Sequence, residues 1–208
     1  MLTQLSKVII SFILSIIAIY MYLRFKGTER KWCMFAMLSS TLGDIFMTDI
    51  IGIGDVSTYP GAAFFIIAHC IYAICFIRAS KRKGYKLLNK GMIAGIAITA
   101  IVALLLAITM FAVTHKMQGM FLPLIAYLLF IGWNLSCEFS YAYSEGGQRR
   151  FLYLGMLLFI ISDFLVFLPM LNVCEGTPSF NDIIWFTYIP AQLLIILFNS
   201  DILDSKEV

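Results

Sequence analysis

Seven long apolar runs constrain this chain more than any other feature. Charged residues or Gly and Pro separate them into Lys7–Leu23, Lys31–Ile53, Ala62–Ile77, Lys90–Val113, Met120–Tyr141, Phe151–Leu171 and Ile183–Asn199. A helix crossing a bilayer takes roughly 20 such residues. Strands of a membrane barrel are about ten residues long and alternate apolar with polar. These runs are longer and do not alternate, so they predict helices. Composition agrees: 61% of residues are apolar, 13% are charged, and the mean hydropathy is +0.91. Soluble domains are nearer half apolar and a quarter charged, and a fold this small cannot hide such an excess. The expected architecture is all-α: a polytopic transmembrane bundle of seven spans, with residues 1–208 as one transmembrane domain. Short loops leave no room for a soluble catalytic, nucleotide-binding or DNA-binding domain, so any chemistry belongs inside the bundle. The first run lacks a small-x-small cleavage site and is followed by Arg24 and Lys26. It reads as a span, not a signal peptide.

Basic residues set the expected orientation. The loops after spans one, three and five hold Arg24, Lys26, Arg30, Lys31, Arg78, Lys81, Arg82, Lys83, Lys86, Lys90, Arg149 and Arg150, which is 12 of the 15 basic residues. The opposite side has only Lys7 and Lys116. This predicts an outside N-terminus and a cytoplasmic C-terminus, in the cell membrane if the source is bacterial. It also accounts for Lys81-Arg82-Lys83 without a nucleic-acid partner. The 5 cysteines have no regular spacing. Cys33, Cys70, Cys75 and Cys137 read as small apolar residues and Cys174 as a loop residue, not as a disulfide framework.

Ionisable side chains within a span are costly and mark functional positions by default. They are Asp44 and Asp49 in span two, His69 in span three, Glu138 late in span five and Asp163 in span six, with Tyr72, Tyr127, Asn134, Tyr188 and Gln192 as polar company. Asp49 and Glu138 fall near span ends and read as interfacial. At 1.5 Å per residue, Asp44, His69, Tyr127, Asp163 and Gln192 reach one layer just outside the midplane. That layer predicts a polar pocket opening toward the outer leaflet. Pro190 leaves one carbonyl of span seven without its helical partner. The segments Leu42-Gly43-Asp44 and Ile161-Ser162-Asp163 resemble one another, and each is followed by a span carrying Ala68-His69 or Ala191-Gln192. A parallel internal repeat is one reading of this.

The motifs exclude several chemistries. Only two histidines are present, so a three-His zinc site cannot be built. A site of His69, Asp44 and Asp163 around a metal stays open. Gly-x-Ser-x-Gly and the phosphate-binding glycine patterns do not occur. What remains is a pair of buried carboxyls in a dry pocket. Two such groups divide their protons unequally, one neutral and one ionised. This suits acid-catalysed opening of an acetal-like or vinyl-ether bond through an oxocarbenium ion. A seven-helix lipid or ligand receptor, and a transporter using the two Asp as a proton relay, are alternatives.

Four segments carry a resemblance: Leu42-Gly43-Asp44; Ala68-His69-x-x-Tyr72; Gly155-x-x-x-Phe159-x-x-Ser162-Asp163; and Tyr188-x-x-Ala191-Gln192-x-x-Ile195. Together they resemble the motifs of the YhhN-like membrane proteins, the family of the lysoplasmalogenases, over about residues 30–200. The extra N-terminal helix and Lys-Pro pair common in that family are not matched. The resemblance implies hydrolysis of the vinyl-ether bond of a lysoplasmalogen or related lysolipid to a fatty aldehyde and a glycerophospho-alcohol. It implies Asp44 and Asp163 as the catalytic acid pair, and His69, Tyr72, Tyr127, Tyr188 and Gln192 as lining for the lipid. No cofactor, metal or nucleic acid is implied, and oligomeric state is left open.

Overall fold

The computed structural model describes residues 3–113, 121–170 and 178–199. Among them the chain forms seven α-helices and no strand. They are α1 (Gln4–Phe25), α2 (Thr28–Met47), α3 (Thr58–Arg82), α4 (Lys90–Val113), α5 (Phe121–Glu145), α6 (Arg150–Met170) and α7 (Pro178–Phe198). Five are long and apolar enough to cross a membrane: α1, α3, α4, α5 and α6. A shorter apolar helical stretch covers Asp182–Phe198. This is the make-up of an integral membrane protein.

Most helix ends follow the apolar runs, and the departures have local causes. Span two was expected to reach Ile53, but α2 stops at Met47. The Thr48 hydroxyl bonds back to the Asp44 carbonyl at 2.8 Å, and Asp49 turns left-handed at φ 49°. The Asp49 carboxylate then accepts from the backbone N–H groups of Ile53 (2.9 Å) and Gly54 (3.0 Å). Asp49 is thus a turn residue at the rim. At the start of α1, the Thr3 hydroxyl accepts from Ser6 N at 3.1 Å, a side-chain cap. Only Lys26 and Gly27 join α1 to α2, at φ 55° and 99°. The second value lies outside what a Cβ tolerates well, so glycine belongs there. α7 runs through Pro190 without a break.

Six helices form a closed ring in the order α1, α2, α3, α5, α6, α7 and back to α1. α4 stands outside it and leans on α5. Small residues make that contact close. A Cβ on Gly91 would fall 2.2 Å from the Phe139 carbonyl oxygen, and one on Gly95 2.6 Å from Ser136 Cα. Across the seam, a Cβ on Gly132 would meet Thr99 at 2.3 Å. Backbones that approach this closely gain van der Waals contact that larger residues would forbid, the usual way helices associate in lipid. α2 and α3 meet similarly, with Gly43 against the Phe65 ring and Gly61 against Met47.

At the basic end, ion pairs tie the loops together. Arg82 pairs with Glu29, Lys83 Nζ lies 2.6 Å from Glu145, and Arg149 donates to the Phe198 carbonyl at 3.0 Å. Cys174, His115 and Lys116 lie outside the described residues. The other four cysteines are free thiols, three of them buried.

Candidate functional site

Asp44 projects from α2 into the ring. Its Oδ2 accepts from Ser11 Oγ of α1 at 2.6 Å and from Tyr188 Oη of α7 at 2.9 Å. A line of donors aims at it from behind. Tyr72 Oη of α3 donates to Gln192 Oε1 (3.0 Å), and Gln192 Nε2 donates to Tyr188 Oη (3.2 Å) and Ser40 Oγ (3.4 Å). All of these side chains are buried. A buried polar group left unpaired is expensive, so the connected line fixes each rotamer.

Asp163 projects from α6. Its Oδ2 accepts from Tyr127 Oη of α5 at 2.8 Å, and His69 Nε2 of α3 lies 3.4 Å away. On the other side of the imidazole, Asn134 Nδ2 lies 3.2 Å from His69 Nδ1. His69 Nε2 makes no hydrogen bond, so its approach to Asp163 is a near contact and not a hydrogen bond.

The seven side chains expected at a site therefore meet, as two lines. The Phe159 ring touches both, with its centroid 4.9 Å from that of His69 and 5.7 Å from that of Tyr188. The two carboxyls are within electrostatic reach of one another. Among the described residues no hydrogen bond joins them, so they are not a dyad sharing one proton. Each has its own hydroxyl donors, all on Oδ2. Among the described residues Oδ1 of each accepts no hydrogen bond.

The two lines are built alike. In the first three helices, the first (Ser11) donates to the acid of the second (Asp44). In the last three, the first (Tyr127) donates to the acid of the second (Asp163). Each acid then takes its other partner from the third helix of the opposite group: Tyr188 for Asp44 and His69 for Asp163.

A small apolar dent lies beside Asp163. Val102 and Leu106 of α4, Leu128 of α5, and Phe164 and Phe167 of α6 help to line it. Among the described residues no three His, Cys, Asp or Glu side chains converge as a metal centre requires. The grouping of His69, Asp44 and Asp163 is instead divided between the two lines.

Three residues stand differently from their sequence reading. Ser11 was not singled out; its one signal is Ser15 a turn later in an otherwise apolar helix, and both are buried. Asn134 was noted only as polar company, yet it holds His69. Glu138 was expected at the interface. It is fully buried, and neither carboxyl oxygen has a hydrogen-bond partner. The reason is length: α5 continues to Glu145, a full turn past Tyr141, so Glu138 lies well inside the helix.

An all-helical membrane bundle enclosing two hydroxyl-bound carboxyls is the class that fold and site define. The family model of the YhhN family matches residues 2–198, and the chain belongs to that family. The match takes in α1, which the sequence motifs had left out, and α1 is the helix that brings Ser11 to Asp44. Comparisons with curated proteins and with solved structures give no match.

Proposed function

We propose that this protein is a membrane hydrolase that cleaves the vinyl-ether bond of lysoplasmalogen-type lipids. The observation that carries the reading is the pair of buried carboxyls, each held by hydroxyl donors on Oδ2 in an otherwise apolar bundle. Vinyl-ether hydrolysis starts with protonation at the β-carbon, which needs a neutral acid in a dry place. Asp44 has only hydroxyl partners and apolar surroundings, and it is the neutral acid. Asp163, with the His69 imidazole 3.4 Å away, takes the second role, facing the cation that develops.

The steps then balance. The Asp44 O–H bond breaks and a C–H bond forms at the β-carbon, leaving an oxocarbenium ion beside the Asp163 carboxylate. Water adds to the cationic carbon and gives one proton to the Asp163 carboxylate. The hemiacetal then collapses: its O–H proton goes to the Asp44 carboxylate, Asp163 gives its proton to the leaving glycerol oxygen as the C–O bond breaks, and a fatty aldehyde, an alcohol and both acids in their starting states result. Tyr127 and Tyr188 hold the two acids in place, while Tyr72 and Gln192 hold Tyr188.

The test is aldehyde release by the purified protein in detergent, with no membrane gradient. Asp44→Asn and Asp163→Asn should each lower turnover by at least the ~10²–10⁴-fold typical of one general acid or base. A folded Asp163→Asn protein with normal turnover would overturn the mechanism, and loss of wild-type activity to a chelator would replace it with a metal reaction. Activity seen only in sealed vesicles under a gradient would favour a proton-coupled transporter.

A further inference from the structure

Lys7 is a buried cation that the proposed reaction leaves unused. It is the fourth residue of α1, whose other end carries Arg24 in its last turn. Despite that place near a helix end it is only 2% exposed. An ammonium withdrawn from water is costly unless something answers its charge and its donors. Gln4 Oε1 accepts one of its three N–H bonds at 3.4 Å, a long contact to a neutral group. The Asp182 carboxylate, near the start of α7, is within electrostatic reach. Gln4 itself is exposed, so the ammonium lies just beneath the rim of the bundle.

The helix fixes where Lys7 stands relative to the acids. Lys7 and Ser11 are four residues apart and share one face of α1. The Lys7 carbonyl accepts from Ser11 Oγ at 3.3 Å, and the same hydroxyl donates to Asp44 Oδ2 at 2.6 Å. Side chains on a helix lean toward its N-terminus, and Lys7 does so, since its ammonium meets Gln4. The ammonium therefore stands about 10 Å beyond Ser11, the rise of the seven residues from Gln4 to Ser11. Tyr188 Oη donates to the same Asp44 oxygen at 2.9 Å and so pins α7 at the same height. Asp182 comes six residues before Tyr188, about 9 Å along α7. Lys7 and Asp182 thus share one level, between the acid and the rim.

We infer that Lys7 holds the phosphate of the lipid substrate and so sets the depth at which the vinyl ether meets Asp44. This rests on the hydrolase reading and names the part of the lipid that is recognised. In an alkenyl lysophospholipid seven bonds separate the β-carbon from the phosphorus. An extended chain advances about 1.2 Å per bond, so they span ~8 Å. A hydrogen bond from the ammonium to a phosphate oxygen adds about 3 Å. The sum matches the rise of about 10 Å from Ser11 to the ammonium. The phosphate takes the place of the Gln4 amide, and a charged acceptor binds an ammonium more strongly than a neutral one. Asp182 offsets the Lys7 charge until the phosphate arrives.

The test uses the full-length protein in detergent and lipids that differ only in the phosphate-bearing headgroup. Binding is measured with a saturated alkyl-ether lysophospholipid and with the corresponding alkyl glycerol, neither of which has a double bond to protonate. Wild type should bind the lysophospholipid about tenfold or more tightly, the worth of one charge-assisted hydrogen bond. Lys7→Met should lose that preference and Lys7→Arg should keep most of it. In aldehyde release from the alkenyl forms, Lys7→Met should raise KM for the lysophospholipid about tenfold more than KM for the alkenyl glycerol. If Lys7 only ties α1 to α7 through Asp182, Lys7→Met will lower the melting temperature and weaken both lipids alike, and that overturns the proposal. Equal binding of the two lipids by wild type overturns it too, and that comparison needs no variant to fold. Inorganic phosphate at the lipid concentration should not displace the lysophospholipid; displacement would mean that the site takes the free anion. A preference that depends on Lys7, with no aldehyde from wild type, sinks the hydrolase reading and leaves the phosphate site standing.

Discussion

Ser11 makes a contact with Asp44 whose energy and whose proposed role can be separated. An interhelical hydrogen bond in a membrane protein averages about 0.6 kcal/mol, so Ser11→Ala should barely move the melting temperature in detergent. It removes one of the two donors on Asp44 Oδ2, however, and with it the fixed orientation of Oδ1. Turnover should fall by about tenfold while stability changes by less than about 1 kcal/mol. Equal activity in Ser11→Ala would mean that Tyr188 alone aims the carboxyl. Asp44 and Asp163 were legible in the sequence because charge inside an apolar run is costly and cannot be accidental. Ser11 was not, because a serine satisfies itself on its own helix backbone anywhere in a span; here it also lies 3.3 Å from the Lys7 carbonyl. Glu138 was misread because its depth depends on where α5 stops, and helix ends are the least legible feature of a sequence.

Among the helices, α4 offers the cleanest separation of stability from chemistry. It supplies none of the hydrogen-bonding side chains of the site and packs on α5 through Gly91, Gly95 and Thr99 facing Phe139, Ser136 and Gly132. A valine at Gly95 would force backbones apart, since even its Cβ would sit 2.6 Å from Ser136 Cα. Overpacking of this kind costs about 1–3 kcal/mol. Gly95→Val should therefore lower the melting temperature, while the protein that remains folded keeps Asp44 and its partners intact. Aldehyde release per folded molecule at low temperature, against a thermal melt, checks this. The extent of α4 was read correctly from its apolar run, Lys90–Val113 in both cases. Its place outside the ring was not, because a helix that is apolar all round carries no mark of which side meets protein and which meets lipid. α2 is the opposite case. Its buried face carries Arg30, Ser39, Ser40, Thr41 and Asp44, which keeps it from reading as a spanning helix by hydropathy alone.

Among the described residues every basic side chain but Lys7 lies toward one end of the ring, where Arg24, Lys81, Arg82, Lys83 and Arg150 stand at helix ends. A reporter fused after Ser205 should accordingly read as cytoplasmic, and an external signal would mean that one of the seven helices does not cross. The partner exchange between the two acids has a wider consequence. A chain cut between Gly84 and Tyr85 would leave Asp44 in one piece and its Tyr188 in the other, and would split Asp163 from His69 in the same way. Neither fragment could complete either acid, yet the two expressed together should restore aldehyde release. The site is thus an interlock. It exists only after the first and last helices have found each other, so a half-made chain in the membrane holds neither acid with its full set of partners.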